Sequence, residues 1–196
     1  MLLIFFKKNL TAYLFSYLLV YLSINFIFES IAHYQDYRHI STYEVYNYEM
    51  IFEVSFFLSL YRKSFSTLKY KKLAAIFLVF FLIFAVVNIF FFQPHNTFNS
   101  NTYTFGCILL LLTVIIYLFN DIVKTEDINP LFFPMFWISL GVLFCYLVNF
   151  PFLGNVNQLF EIDRQMAENL SIMNYTVNIL LYVLIGIGII CKKQRI

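Results

Sequence analysis

Apolar and aromatic residues dominate stretches of about twenty at a time, and they do so six times along the chain. These stretches are residues 10–28, 42–61, 73–92, 102–120, 131–152 and 172–191. A hydrocarbon core about 30 Å thick is crossed by about 20 helical residues, and only closed hydrogen-bonding patterns survive in lipid. The pattern therefore predicts an all-α fold, a polytopic transmembrane helical bundle of six spans. The runs are too long for strands and lack period-two alternation, which argues against a β-barrel. Prolines punctuate the runs where helices begin and end. Gln93-Pro94 closes the third run, Asn129-Pro130 opens the fifth and Pro151 ends it, while Pro134 falls in a first helical turn. All 196 residues read as a single transmembrane domain.

The second run is the weakest. Residues 43–61 read YEVYNYEMIFEVSFFLSLY, with Glu49 and Glu53 set among aromatic side chains, and Arg62, Lys63, Lys69, Lys71 and Lys72 follow. Between runs, residues 29–41 read as a polar loop. Residues 154–170 place Val156, Leu159, Phe160, Met166 and Leu170 near helical spacing, which fits either a short helix on the membrane surface or an ordinary ordered loop. Tyr43, Tyr46, Tyr48, Tyr61, Tyr70 and Trp137 fall near predicted interfaces, where amphipathic rings gather. No internal repeat relates the halves, so an inverted-repeat transporter gains no support.

Composition agrees with a bilayer as solvent. The chain is 61% hydrophobic and 12% charged, with a mean hydropathy of +0.77; a soluble domain carries about 25% charged residues. Charge then fixes an orientation, because Lys and Arg collect on the cytoplasmic side. With the N-terminus and C-terminus cytoplasmic, 11 of the 13 basic residues lie inside and only Arg38 and Arg164 outside. Removing the second span would put the cluster at 62–72 outside, so the charge pattern supports the weakest span. The expected location is the inner (cytoplasmic) membrane, multi-pass. Lys7 and Lys8 before an apolar run resemble a signal peptide, but no small-residue cleavage site follows, which predicts an uncleaved first helix. A net charge of +2 gives no case for nucleic acid as a partner. Cys107, Cys145 and Cys191 lack paired spacing and read as small apolar residues.

Polar residues inside the spans gather at one depth. The outer halves hold Asn25, Glu49 and Glu53, Asn88, Thr102 and Thr104, Asn149, and Asn174 and Asn178; the inner halves are nearly bare apart from Asn120. Glu49 and Glu53 share a helix face, as do Asn174 and Asn178, being four apart. A charged group near the bilayer centre costs about 2.5–3.5 kcal/mol on insertion scales, so such residues face the bundle interior or water. Two readings follow. Glu49, Glu53, Asn88, Asn149, Asn174 and Asn178 form a ligand-binding pocket open to the outside, or they bond helices together at about 0.6 kcal/mol per contact. Helix bonding is the plainer account of the asparagines, and binding is favoured for Glu53, the deeper carboxyl.

Other groups carry less. Glu29, His33, Asp36 and His39 make a polar cluster that reads as a solvated loop rather than a metal site. His95 stands alone, and Asp127 fits helix capping. Gly186 and Gly188 are not four apart and make no GxxxG motif. No nucleotide-binding loop, GxSxG or HExxH occurs, and no cofactor or catalytic set is expected.

Phe98-Asn99-Ser100-Asn101-Thr102, Asn129-Pro130-Leu131 and Pro134-Met135-Phe136-Trp137-Ile138 resemble a family of uncharacterised bacterial multi-spanning membrane proteins with TFNS and PxFWI motifs. Asn47 and Glu53 match its helix carrying a His or Asn and then a Glu, and Asn149 matches a polar position near the end of the FWI helix. The likeness covers about residues 43–190. The chain departs from it in starting at what would be the second of seven helices, and in holding Gly106-Cys107 where an acidic residue is common. The resemblance implies similarity to membrane-sensor modules and brings no activity. The expected function is a non-enzymatic sensory or accessory module, in contact with the lipid bilayer and with a separate signalling protein or membrane subunit. The alternatives are a structural subunit of a membrane complex and a small transporter component.

Overall fold

The computed structural model describes residues 2–93, 97–123, 129–162 and 164–191; side chains are described for these except residues 2–13, 160, 164 and 168. His95 and Asp127 lie outside the described residues. Every regular element among the described residues is helical: α1 (Leu2–Tyr37), α2 (Tyr43–Ser64), α3 (Leu68–Phe91), α4 (Ser100–Tyr117), α5 (Pro134–Leu153), α6 (Val156–Ile162) and α7 (Arg164–Ile190). A π-helical turn, Leu118–Val123, extends α4, and a 3-10 turn, Pro130–Phe132, leads into α5.

Five helical stretches are long and apolar enough to cross a membrane: Leu14–Tyr37, Leu68–Phe91, Ser100–Val123, Pro134–Leu153 and Gln165–Ile190. The protein is therefore a helical membrane protein. The 22-residue α2 has the length, but Glu44, Glu49, Glu53, Arg62 and Lys63 lower its apolarity. Its position is nevertheless central. It packs against α1, α3 and α4, and Val54, Phe57, Leu58, Leu60 and Tyr61 are almost fully buried. The highly apolar α3 instead exposes Phe80, Ile83, Val86, Phe90 and Phe91. In water this arrangement would be inverted; it suits a solvent of lipid tails, which take up Phe and Ile and leave the bundle interior to the polar helix.

Several boundaries differ from the sequence reading. Residues 29–41 are not a loop for most of their length, because α1 runs on through Tyr37. No Gly or Pro interrupts Glu29-Ser30-Ile31-Ala32, and the helix stops instead at a Schellman cap. His39 takes the left-handed conformation at φ 56°, Ile40 N–H donates to the Gln35 carbonyl (2.9 Å) and His39 N–H to that of Asp36 (2.9 Å). That position is usually Gly, and histidine is among the few other residues enriched there. α3 starts five residues before the expected 73, since a helix continues through Lys69, Lys71 and Lys72 where an apolar count stops. The segment 154–170 contains α6 and the first turns of α7, so the short-helix alternative holds for Val156–Ile162.

Close approach in the core depends on small residues. A Cβ on Gly188 of α7 would stand 2.8 Å from the Pro134 carbonyl oxygen of α5, and one on Gly106 of α4 would stand 2.7 Å from the Phe81 ring. Gly188 thus matters for packing within this chain, in a spacing that carries no dimerisation motif.

Candidate functional site

A cavity of about 380 Å³ opens at the end of the bundle where α2 and α7 begin and α5 ends. Its walls follow helical spacing. α2 contributes Tyr43, Tyr46, Glu49, Met50 and Glu53; α5 contributes Cys145, Tyr146, Asn149, Phe152 and Leu153; α7 contributes Ser171, Asn174, Tyr175, Asn178, Ile179 and Tyr182. Each set recurs every three or four residues, which puts it on one helix face. Glu29 of α1, Tyr103 of α4 and Val156 of α6 complete the wall.

Five of the six expected residues meet here: Glu49, Glu53, Asn149, Asn174 and Asn178. Asn88 does not line the cavity. It is buried between α3 and α4, donating to Gln93 Oε1 (3.0 Å) and Thr102 Oγ1 (2.9 Å). Gln93 Nε2 in turn donates to Ser100 Oγ (3.1 Å), so Asn88 ties the α3–α4 turn together. Its partners lie within fourteen residues of it, on the side of the bundle away from the cavity helices α5 and α7.

Glu53 is held by the Tyr21 hydroxyl, which donates to its Oε1 at 2.6 Å from α1. A thin chain of polar contacts crosses from α5 to α7. Asn149 Nδ2 donates to Cys145 Sγ (3.6 Å), the thiol donates to Asn178 Oδ1 (3.2 Å), and Asn178 Nδ2 donates to Asn174 Oδ1 (3.1 Å). One buried atom on the cavity wall, Asn149 Oδ1, has no hydrogen-bond partner in the protein, while the Tyr146 hydroxyl is placed beside Glu53. Such an orphan is uncommon and costly, about 1–3 kcal/mol, unless something in the cavity pairs with it.

The TFNS stretch is clamped rather than open. Asn47 Nδ2 donates to the Thr97 carbonyl (2.9 Å) while Asn47 Oδ1 accepts from Asn99 N–H (2.8 Å), and Asn157 Nδ2 donates to the Phe98 carbonyl (2.8 Å). One buried asparagine thus fixes the segment that carries Phe98 to the cavity edge. In the PxFWI stretch, Trp137 Nε1 donates to the Leu131 carbonyl (2.9 Å), which orders the entry to α5.

Sequence reasoning missed Glu29 because it placed that residue in a loop, and it assigned Tyr43 and Tyr46 to an interfacial belt. Cys145 was read as a small apolar residue, and Tyr146 drew no reading. A signal for some of them was present: Tyr46, Glu49 and Glu53, like Cys145, Asn149 and Phe152 and like Ser171, Asn174 and Asn178, recur at intervals of three and four. The His33, Asp36 and His39 side chains are exposed at the end of α1. Among the described residues no group of three potential ligands is placed to hold a metal ion.

Fold and site together define a helical membrane protein with a ligand-sized, carboxyl-bearing cavity at one end of its bundle. Comparison with protein-family models, with curated proteins and with solved structures finds no match.

Proposed function

We propose that the chain is a six-span inner-membrane protein with both termini cytoplasmic, acting as a sensory or accessory module that takes a small ligand from the extracytoplasmic side. The observation that carries this reading is the contrast between two kinds of buried asparagine. Asn47 and Asn88 spend their hydrogen bonds on neighbouring segments, as helix glue does. Asn149, equally buried, leaves Oδ1 unpaired on the wall of a cavity that also holds Glu53. Asn99 also holds unpaired buried side-chain atoms, but away from the cavity wall, whereas Asn149 presents its unpaired acceptor to the open space beside Glu53. In this accessory role the output is passed to a separate signalling protein or membrane subunit. The motif likeness to membrane-sensor modules points the same way.

The cavity spans only one end. At the other, Tyr61 donates to Ser139 Oγ (3.0 Å) inside close-packed apolar side chains. A continuous polar path of the kind a transporter needs is therefore unsupported among the described residues.

Side-specific thiol labelling tests this proposal. In a chain whose three cysteines are replaced, Asn174→Cys is expected to react with small charged methanethiosulfonate reagents, which do not cross the membrane, from the extracytoplasmic face. Reaction only from the cytoplasmic face, or from neither, overturns the proposal.

A further inference from the structure

We infer that the cavity is a site for an organic cation, an amine with an aromatic or short apolar body. The inference rests on the pocket reading above and adds the chemistry of the ligand.

The charge lining the cavity has one sign. Glu29, Glu49 and Glu53 are on the wall, and among the described residues no Lys, Arg or His is. The basic residues 62, 63, 69, 71 and 72 sit at the opposite end of α2 and the start of α3. Ionised carboxyls in a space with low-dielectric walls attract cations and repel anions, and an ammonium group beside them favours that ionised form.

The aromatic lining is mostly tyrosine, with Phe98 and Phe152 beside it. Tyr43, Tyr46, Tyr103, Tyr146, Tyr175 and Tyr182 line the same space. Tyrosine faces attract ammonium groups, more so when the pair is shielded from water. Apolar bodies have their own surface here in Met50, Phe152 and Ile179.

The orphaned atom selects among cations. Asn149, 2% exposed, presents an unpaired acceptor, Oδ1. An acceptor is satisfied by an N–H donor, which a primary ammonium has and a quaternary one lacks. The Tyr146 hydroxyl, on a residue 1% exposed, lines the same space beside Glu53. Glu53 already accepts from Tyr21 through Oε1, which orients the carboxyl without neutralising it by a basic partner. At about 380 Å³ the cavity falls near the small end of ligand sites, which run from roughly 300 to 1,000 Å³.

Three probes of nearly one shape test the assignment: benzylammonium, benzyl alcohol and benzoate. Each is titrated into the full chain in lipid nanodiscs, and binding is read by calorimetry and by the shift in melting temperature. Benzylammonium is expected to bind roughly tenfold or more tightly than the alcohol, with benzoate weakest. Glu49→Gln, a near-isosteric change at a partly buried position, is expected to erase most of that preference. Asn149→Ala is expected to weaken benzylammonium while leaving tetramethylammonium unaffected. Equal binding of the amine and the alcohol, or preference for benzoate, overturns the cation assignment while leaving a pocket in place. If none of the three binds, the cation assignment also fails. The pocket reading is decided separately by labelling at residue 174: failure of both charged reagents from outside sinks the pocket itself. A cationic reagent reacting no faster there than an anionic one counts against the cation.

Discussion

At the cavity end of the bundle, Glu49, Glu53 and Asn149 surround a space and Asn149 Oδ1 stays unpaired. At the basic end, the polar groups close on one another. Tyr61 donates to Ser139, Tyr70 to Asn120 Oδ1 (3.1 Å), and Ser66 N–H to Asp121 Oδ1 (2.7 Å). The last two bonds brace the π-helical turn, Leu118–Val123, against the α2–α3 connection. The same helices build both ends. One is closed by paired polar groups, while the other leaves Asn149 Oδ1 unpaired beside an open cavity. Polarity in a membrane bundle is therefore a poor guide to function by itself; whether the polar atoms are paired is the better one.

The difference can be broken by mutation. Phe57, one turn from Glu53 toward the basic end, is fully buried and contacts Tyr21 and Tyr146 edge-on or tilted. Phe57→Ala is expected to destabilise by about 3 kcal/mol, the lower part of the range for such truncations, because apolar groups in lipid keep apolar neighbours even when helices separate. Denaturant-induced unfolding in mixed micelles measures it. Next in size is Gly188→Leu, which drives a side chain into the Pro134 carbonyl and is expected to cost roughly 2 kcal/mol of overpacking. A fall in helix-bundle stability without loss of probe binding would place the strain at the basic end alone. The finest test pairs two small changes. Tyr61→Phe removes a satisfied bond and is expected to cost about 0.6 kcal/mol. Asn149→Leu removes an unpaired acceptor and is expected to cost nothing, or to stabilise. Equal losses from the two would erase the distinction between the ends.

Much of the architecture was legible because lipid demands long apolar helices, and five of these are long and apolar enough for a membrane. The ends were not, since hydropathy is silent about where hydrogen bonding stops. α1 ends at a histidine cap rather than at a glycine, and α3 begins among lysines. Of the site, the polar residues could be placed by depth, but depth does not say which way a side chain points. Asn88 lies level with Glu53 in sequence terms and faces α4 instead of the cavity. The tyrosines were hidden by their double nature. A ring suited to an interface is equally suited to the wall of a binding site, and only the facing helices decide between the two.

The burial of α2 also bears on how the protein is made. A segment entering the bilayer is judged by its own apolarity, and Glu44, Glu49 and Glu53 leave α2 poorly qualified to stay there alone. Its partners α3 and α4 have not been synthesised when it emerges. The three-residue link at 65–67 makes α2 and the very apolar α3 a tight hairpin, so the later helix can hold the earlier one in place. A truncation of the gene after α2 would thus strand the segment that carries both central carboxyls, while one after α4 would give that segment its neighbours.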